Sequence, residues 1–510
     1  VENLSHEFYN LGHMVEGAVA YYQATGKRNF LDIAIRYADC VCKNIGEGPG
    51  QKRVIPGHQI AEMALVRLYM VTGDKKYLDQ AKFFLDARGT TARKDIYLQS
   101  HKPVLEQDEA VGHAVRAGYM YSGMADVAAI TGDSSYVRAI DRIWENIVGK
   151  KIYITGGIGA RHEGEAFGDN YELPNLTAYN ETCAAIGNVY TNYRLFLLHG
   201  DAKYFDVLER TLYNGLISGV SLDGGRFFYP NPLACDGKYR FNADHTITRQ
   251  PWFGCACCPS NISRFIPSLP GYVYAVKDDK VYVNLFLSNR AKLKVNGKNV
   301  VLEQETSYPW NGDIRLTVAK GNQPFVMNVR IPGWVRGSVL PGGLYSYADG
   351  EELAYRVSVN GQEVKGALQK GYLSIDRHWK KGDVVEIHFD MQPRVVKAND
   401  KVAANRGRVA IEHGPLVYCA EWPDNDFDIS TLLLNRHPKF QVVEHPDLLG
   451  GINEITTRAQ ALSYDATGRL AAKDVKLTLI PYYAWAHRGE GRMEVWLPIE
   501  VGAASAELQE

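Results

Sequence analysis

Residues 251–264 read PWFGCACCPSNISR and place three thiols within four positions, at Cys255, Cys257 and Cys258. Adjacent cysteines rarely bond each other, because disulfide geometry is hard to meet across one peptide unit. Two neighbouring thiolates can instead share one soft metal ion. Shortly after this stretch, at Pro270, a helical pattern gives way to strand-like alternation. The stretch therefore predicts a metal centre, held by the scaffold on both sides of it.

Partners for these thiols lie upstream in residues 180–183, NETC, where Glu181 and Cys183 flank a single residue. One carboxylate with three thiolates makes a four-ligand zinc set. Four protein ligands usually indicate a structural site, unless a thiolate is itself the reactive group, since coordination keeps a thiol deprotonated. The alternative is that Cys257 and Cys258 are small buried residues, because free cysteine packs well in a core.

The composition is that of a globular protein with two to three domains, since 510 residues exceed one ordinary domain. A net charge of -1 gives no reason to expect nucleic acid or an anionic membrane as partner. No apolar run is long enough to span a bilayer. Eight cysteines are too sparse for a disulfide scaffold.

The start of the chain predicts a further N-terminal segment. The sequence begins at Val1 without Met and follows a helical pattern by Glu7. This start does not decide whether a signal peptide precedes Val1. The sequence therefore fits either the bacterial cytoplasm or the periplasm.

A repeated turn organises the first half. The segments ATGKRNF, VTGDKKY, ITGDSSY and LHGDAKY each join two helical stretches. Glycine suits the left-handed position after a helix, and aspartate suits the N-cap of the next. The predicted helices are Tyr9–Ala24, Phe30–Asn44, Gln59–Val71, Tyr77–Leu85, Glu109–Ile130, Val137–Ile147, Thr182–Leu198 and Phe205–Ile217.

Such αα-hairpins form either a solenoid or a closed α/α toroid. The toroid is favoured because long, Gly- and Pro-rich connections carry His and acidic residues, and loops gathered on one face commonly build a site. A six-hairpin toroid needs more hairpins than the four visible ones, which again predicts a missing N-terminal segment.

Beyond Pro270 the pattern has period two, with turn signals such as Asn296-Gly297 and Asn360-Gly361. Two β-sandwiches, or one large and one smaller, account for this part. The predicted strands are Tyr272–Val276, Lys280–Leu287, Ala291–Val295, Asp313–Val318, Phe325–Ile331, Arg356–Val359, Tyr372–Asp376, Val384–Asp390 and Arg408–Tyr418, followed by strand-like segments within Val475–Ile499.

Polar groups in the helical half suggest a sugar pocket. HEFYNLGH places His6, Tyr9, Asn10 and His13 at helical spacing, for which a solvated face is the plainer interpretation. A lone His is more often structural, so His58 in PGH and His113 in GHAVR are weak signals separately. The Gly-rich loop GGIGARHEGEAFGDNYELP lacks the lysine of a phosphate-binding loop. Its polar members are Arg161, His162, Glu163, Glu165, Asp169 and Glu172.

At these motifs the chain resembles glycoside hydrolase family 127, whose characterised members include bacterial β-L-arabinofuranosidases. The matching stretches run in order along nearly the whole chain: HEFYNLGH, PGH, GHAVR, TGGIG with GEAF, NETCA, FFYPNPL, CACCPSN, RIPGW and HGPLVY. The resemblance implies a multidomain α plus β protein, an (α/α)6 barrel catalytic domain followed by jelly-roll-like β-sandwich domains. We expect the barrel at 1–270 and the sandwiches at 271–395 and 396–510.

The resemblance also implies roles for individual residues. Carried over by motif, the Zn²⁺ ligands are Glu181, Cys183, Cys257 and Cys258, with Cys257 as nucleophile. Glu165 is the general acid/base. Cys255 lies just outside the CCP pair and is assigned no role. The residues implied to line the sugar pocket are His13, His58, His113 and Tyr229.

The implied function is a retaining exo-glycoside hydrolase that releases a terminal β-L-arabinofuranosyl or related plant cell-wall sugar from an oligosaccharide. The first alternative is an acidic branched deoxysugar of rhamnogalacturonan II, which Arg161 and His162 would meet. The second is a non-catalytic carbohydrate-binding protein with structural zinc. The third is a sugar epimerase, which gives Cys257 no role. A homodimer is left open as an assembly.

Overall fold

The computed structural model describes residues 6–505, except for the side chains of Asp244 and Ser505. The outermost residues of the predicted first and last domains, 1–5 and 506–510, lie outside the described residues. The chain forms two compact units. The first takes Val1–Ile152, Ile158–Asn170 and Gly187–His199, and the second takes Tyr153–Gly157, Tyr171–Ile186 and Gly200–Glu510.

The first unit is helical and is built from antiparallel pairs joined by the predicted turns. Gly26, Gly73 and Gly132 have φ values of 71°, 73° and 73° at the helix ends. Asp74 and Asp133 cap the following helices by accepting from backbone N–H groups two residues ahead. The helices are α1 Glu7–Thr25, α2 Asn29–Asn44, α3 Ala61–Thr72, α4 Lys75–Ala87, α5 Ala114–Thr131, α6 Ser134–Asn146 and α7 Thr182–His199, the last beginning in the second unit.

The extent of burial differs among these helices. Residues 114–125 of α5 are all buried, and so are the first six of α3, whereas α2, α4 and α6 bury one face only. Helix α3 packs between α1 and α5. Gly118 of α5 approaches Gly187 of α7 so closely that an added Cβ would lie 3.1 Å from its backbone. Helices α3 and α5 are thus buried on more of their surface than their neighbours.

One predicted helix start is wrong. The helix expected from Glu109 begins at Ala114, with His113 as its N-cap. Residues 109–112 form a loop instead, in which the N–H of Ala110 donates to Asn146 and Gly112 adopts φ 70°. An added Cβ on Gly112 would lie 2.0 Å from the Ile96 carbonyl oxygen, so this close approach requires glycine. The five-residue shift places His113 at the end of a loop.

The second unit begins with helices and continues into sheets. Helix α8 Ala202–Arg210 follows the N-cap Asp201 and runs into the π-helical turn Thr211–Leu216. Helix α9 Cys257–Phe265, which the periodicity did not predict, is followed by α10 Pro270–Val273. A short helix, α11 Val501–Ser505, comes last.

The strands cover the remainder of the second unit. Their bounds are β1 Ala234–Asp236, β2 Tyr274–Lys277, β3 Lys280–Val283, β4 Asn289–Val295, β5 Lys298–Thr306, β6 Asp313–Lys320, β7 Asn322–Arg330, β8 Tyr345–Tyr347, β9 Tyr355–Val359, β10 Gln362–Glu363, β11 Tyr372–Lys380, β12 Val384–Phe389, β13 Pro393–Ala398, β14 Arg408–His413, β15 Leu416–Glu421, β16 Leu432–Leu434, β17 Gln441–His445, β18 Ile452–Tyr464, β19 Leu470–Pro481, β20 Arg492–Glu494 and β21 Leu497–Pro498.

These strands pair into three mainly antiparallel sheets among the described residues. One has the order β10-β9-β12-β6-β5-β4, and a smaller one has the order β11-β7-β3-β2, in which β3 and β7 are parallel. The largest follows β16-β18-β19-β15-β14-β13-β8, with β1, β17, β20 and β21 at its margins. Helices followed by large antiparallel sheets confirm the α plus β class at this level.

Two details of the sheets differ from the predicted strands. The expected strand Arg408–Tyr418 is a hairpin, β14 and β15, folded at Gly414, which has φ 57°. The long strand β18 was not predicted, because Ala, Gln and Glu interrupt its apolar positions. It is held by ten paired residues of β19. Across residues 6–505 no helix combines the length and hydropathy that a bilayer crossing requires.

Candidate active site and metal centre

The four predicted metal ligands come together in the second unit. Glu181 directly precedes α7 and Cys183 is its second residue, while Cys257 and Cys258 open α9. Each pair therefore lies at a helix N-terminus, where unpaired backbone N–H groups and the helix dipole favour negative charge. One ligand atom from each of the four residues lies within 4.8 Å of all the others.

The distances between these atoms fit a tetrahedral ion. The two adjacent sulfurs, of Cys257 and Cys258, are 3.9 Å apart, and they lie 3.6 and 3.5 Å from Glu181 Oε1. A tetrahedral Zn²⁺ with ordinary bond lengths separates two sulfurs by about 3.8 Å, and a sulfur from an oxygen by about 3.5 Å. The donor types and the spacing of these three atoms thus allow a tetrahedral metal ion to be bound.

Burial makes a cation at this cluster physically reasonable. Glu181, Cys183 and Cys258 are each at most 2% exposed. Burial raises the pKa of the Cys258 thiol well above its ordinary value. Burial would also raise the pKa of Cys183, but hydrogen bonds from the thiols of Cys257 and Cys258 outweigh it and lower that pKa. A buried carboxylate beside three thiols is costly without a compensating positive charge.

Cys257 differs from the other ligands because it is only half-buried. The Tyr229 hydroxyl lies 3.0 Å from its sulfur and 3.9 Å from that of Cys255. Cys255 Sγ lies 4.0 Å from Cys257 Sγ and is exposed. The ring of Phe253 packs edge-on against Tyr229, with centroids 5.8 Å apart. One thiol of the cluster is therefore accessible, and a tyrosine hydroxyl lies against it.

Backbone bonds fix the NETC segment against the FFYPN segment. The N–H of Thr182 donates to the Tyr229 carbonyl, and its hydroxyl donates to the Phe228 carbonyl. The Asn231 amide donates to the Asn180 carbonyl at 2.9 Å. These contacts hold Glu181 and Tyr229 in a fixed relation within the second unit.

The first unit holds the predicted acid/base. His113 Nε2 lies 2.7 Å from Glu165 Oε2. As the N-cap of α5, His113 accepts at Nδ1 from the backbone N–H groups of Val115 and Arg116, at 3.2 and 3.4 Å. Since Nδ1 accepts, the ring proton is on Nε2 and is donated to the Glu165 carboxylate. The helix start thereby sets the tautomer that faces Glu165.

The loop that carries Glu165 is tightly tied. Arg161 and Ala166 exchange two backbone hydrogen bonds, and the N–H of Phe167 donates to the Gly112 carbonyl. Glu165 itself has φ 50°, a left-handed conformation that costs a side-chain-bearing residue on the order of 1–3 kcal/mol. Strain of this kind at a polar residue is typical of functional sites.

The predicted pocket histidines form one aromatic cluster in the first unit. The Tyr9 ring lies 4.2 Å from the ring of His13 and 4.6 Å from that of His58, centroid to centroid. His58 and His113 are 5.8 Å apart. His13 is half-buried and belongs to this cluster, whereas Asn10 on the same helix is exposed. Tyr229, the fourth predicted pocket residue, lies in the second unit against Cys257.

Burial and a neighbouring cation keep two of these histidines neutral. Burial lowers the pKa of His58 well below its ordinary value, and the Arg116 guanidinium lowers it further. Burial also lowers the pKa of His113, although Glu165 opposes the shift. His58 Nδ1 donates to the Gln59 carbonyl at 2.7 Å, which leaves its Nε2 as an acceptor. Neutral imidazoles of this kind suit hydrogen bonding to sugar hydroxyls.

Other polar residues of the Gly-rich loop lie on the surface. Arg161, His162, Glu163 and Asp169 are exposed. The Arg161 guanidinium pairs with Asp169 at 3.0 Å. The positive charge proposed to meet an acidic sugar is thus partly compensated.

Three residues that contact the predicted site residues were not predicted: Tyr97, Tyr119 and Asn261. The Tyr97 ring contacts His113 and Arg116, and Tyr119 contacts His58. Asn261 donates to the Cys183 sulfur and lowers its pKa. One signal was available in the sequence, since Asn261 follows Cys257 by one helical turn.

Three family models match successive parts of the chain. They are the GH127 catalytic domain of β-L-arabinofuranosidases over residues 1–271, the GH127 middle domain over residues 280–391 and the family 127 C-terminal domain over residues 393–498.

Known proteins are similar over nearly the whole chain. The non-reducing end β-L-arabinofuranosidase of Bifidobacterium longum is 36% identical, over 96% of this chain and 78% of its own. A structure described as a GH127 β-arabinofuranosidase is 77% identical with a TM-score of 0.96, over 99% of this chain and 78% of the other. A GH127 β-L-arabinofuranosidase from Geobacillus stearothermophilus T6 is 41% identical with a TM-score of 0.90, over 98% and 81%. This chain therefore belongs to glycoside hydrolase family 127 and is a glycoside hydrolase.

Proposed function

We propose that this glycoside hydrolase is a retaining exo-enzyme that releases terminal β-L-arabinofuranosyl residues from an oligosaccharide. The observation that carries the proposal is the half-buried Cys257 thiol inside an otherwise buried cluster of one carboxylate and two further thiols. The names of the relatives support the choice of sugar.

We assign Zn²⁺ to this cluster, with Glu181, Cys183, Cys257 and Cys258 as its ligands. Three sulfurs and one oxygen, all within 4.8 Å of one another, favour zinc over Mg²⁺ or Ca²⁺, which prefer oxygen ligands. When bound, zinc keeps its thiols deprotonated at neutral pH, and the thiolate is the nucleophilic form.

The proposed reaction has two steps. The Cys257 sulfur attacks the anomeric carbon while Glu165 gives its proton to the leaving oxygen, and a thioglycosyl intermediate forms. Glu165 then takes a proton from water, which displaces Cys257 from the anomeric carbon. Two displacements at one carbon retain its configuration. Most retaining glycosidases use a carboxylate where this chain would use a thiolate.

The remaining assignments follow the same proposal. His13, His58, His113 and Tyr229 would bind the released sugar through hydroxyl hydrogen bonds. The helices would belong to an (α/α)6 barrel domain at 1–270, and the sheets to β-sandwich domains at 271–395 and 396–510. A homodimer stays a prediction.

The other candidate functions have less support. An acidic sugar would need an unpaired cation, but Arg161 pairs with Asp169. A carbohydrate-binding protein without catalysis would not need the strained backbone at Glu165. An epimerase would not need an accessible thiol at Cys257.

The test is hydrolysis of an aryl β-L-arabinofuranoside by wild type and Cys257→Ala, with zinc measured in both. Cys255→Ser is the matched control, because it removes the neighbouring thiol that is not a proposed ligand. Loss of activity in Cys257→Ala with zinc retained, and activity in Cys255→Ser, would support the thiolate mechanism. Clear activity in Cys257→Ala would exclude Cys257 as nucleophile.

A further inference from the structure

Trp252 is the most exposed tryptophan among the described residues. Its side chain is 58% exposed, whereas the next residue, Phe253, is 3% exposed and packs against Tyr229. Aromatic side chains are large apolar groups, and one left mainly in water commonly marks a binding surface. Of these two successive aromatic side chains, one is therefore mainly in water and the other is buried.

A second exposed tryptophan, Trp422, has a structural reason for its position. Trp422 is 42% exposed, but its indole lies where a Cβ on Gly491 would be, and it lies 3.6 Å from the equivalent position on Gly489. It therefore covers backbone. In the described part of the chain, the indole of Trp252 makes no contact with another aromatic ring and no hydrogen bond.

The position of Trp252 is set by its neighbours in the chain. Consecutive Cα atoms are about 3.8 Å apart, so Trp252 lies at most about 11 Å from Cys255 between Cα atoms. Phe253 anchors this segment to Tyr229, whose hydroxyl lies 3.0 Å from the Cys257 sulfur. The backbone at Trp252 is thus tied to the segment that carries the proposed nucleophile.

Gly254 and Cys255, which lie between Phe253 and the cluster, are exposed. An added Cβ on Gly254 would meet no atom within 4 Å, and Cys255 is exposed. An exo-enzyme binds the released sugar at the nucleophile, and the rest of the glycan leaves towards solvent. The exposed segment beside Cys257 offers such an exit, with Trp252 on it.

We propose that Trp252 is a stacking platform for the sugar on the leaving-group side of the scissile bond. The ligand class is a neutral furanose or pyranose whose C–H face packs on the indole. This inference rests on the proposed role of Cys257, and it adds a specificity for glycosides whose leaving group is itself a sugar.

The kinetic test compares methyl β-L-arabinofuranoside with a disaccharide in which β-L-arabinofuranose is linked to a second L-arabinose. Trp252→Ala is expected to lower kcat/KM about 10-fold for the disaccharide and to leave that for the methyl glycoside within about 2-fold. Trp252→Phe should recover most of the loss, and Trp422→Ala should change neither substrate. Equal losses on both substrates, or no loss on the disaccharide, would overturn the platform.

A binding measurement separates this inference from the proposed function. The probe is a sulfur-linked analogue of the disaccharide, which resists hydrolysis, and the readout is tryptophan emission. A change in emission that is lost in Trp252→Phe and kept in Trp422→Phe supports the platform even if wild type hydrolyses neither arabinofuranoside. An unchanged wild-type emission, or the same change in Trp252→Phe, overturns it even if hydrolysis is normal.

Discussion

His113 Nε2 lies 2.7 Å from Glu165 Oε2, while its Nδ1 accepts from the first N–H groups of α5. One ring therefore caps a helix and orients a carboxylate. Because the cap fixes the tautomer, the hydrogen bond to Glu165 persists without protonation of the imidazole. The helix start and the position of the proposed acid/base are thus coupled.

Replacing His113 by asparagine separates the two roles. Asparagine is a good N-cap, so the melting temperature should stay near that of wild type. Its shorter side chain does not reach Glu165, so kcat should fall about 10- to 100-fold. His113→Ala should lose both the helix cap and the contact with Glu165, so its free energy of unfolding should also fall by about 1 kcal/mol. Unchanged kcat in His113→Asn, measured with an aryl arabinofuranoside, would contradict the orienting role.

Glu165→Gln should remove proton transfer and lower kcat about 10²- to 10⁴-fold. An aryl glycoside with a good leaving group needs less acid assistance, so the loss should be smaller there. Added azide should restore turnover and give an arabinofuranosyl azide of retained configuration, detected by NMR. Glu163→Gln, an exposed carboxylate on the same loop, is the control and should behave as wild type. Absence of azide rescue would count against the acid/base role.

Cys258→Ser should abolish zinc binding, because Cys258 is wholly buried among the other ligands and serine is a poor zinc ligand. Metal content by mass spectrometry should fall from about one zinc per chain to near zero. Cys255→Ser should retain the metal. A strong chelator should lower the melting temperature of wild type more than that of Cys258→Ser. Equal zinc in both variants would refute this ligand set.

A buried ion network links α8 to the sheets. The Arg330 guanidinium is fully buried and bonds to Asp206 at 2.9 Å, to Glu209, and to the Asn284 carbonyl at 2.6 Å. Arg330→Ala should reduce the free energy of unfolding by about 3–5 kcal/mol, because it removes the guanidinium from two buried carboxylates, of which Asp206 keeps its ion pair with Arg336. Arg315→Ala breaks an exposed pair with Glu386 and should cost at most about 1 kcal/mol. Denaturant unfolding measures both, and equal losses would contradict the network.

Stability should fall below neutral pH. Burial lowers the pKa of His413 from 6.5 to about 4, so the unfolded chain binds a proton more readily than the folded one between those values. His413 therefore contributes to the free energy of unfolding above pH 6.5. This contribution, up to about 3 kcal/mol, is lost as the pH falls towards 4. His413→Gln should flatten this dependence, whereas His437→Gln, at an exposed site, should not. Identical pH curves for wild type and His413→Gln would contradict the assignment.

The elements that were predicted well depend on local chemistry. The turns at Gly73-Asp74 and Gly132-Asp133 need only a left-handed residue and a capping carboxylate, which act within a few residues. Strand β18 was missed because its weak β pattern is stabilised by pairing with β19, and the hairpin β14–β15 was predicted as one strand. Strand pairing is a non-local interaction that periodicity alone does not contain.

The sequence by itself determined the helical and β halves, the family and the residue types that offer metal and proton-transfer chemistry. Only the tertiary structure decided that Cys257 is accessible while Cys183 and Cys258 are buried, that His113 donates from Nε2, and that Arg161 pairs with Asp169. The physical reason is that thiol spacing, tautomer and charge compensation are set by contacts between segments far apart in the chain. Cys183 and Cys257 are separated by more than seventy residues, and their approach depends on how the helix starts of α7 and α9 pack.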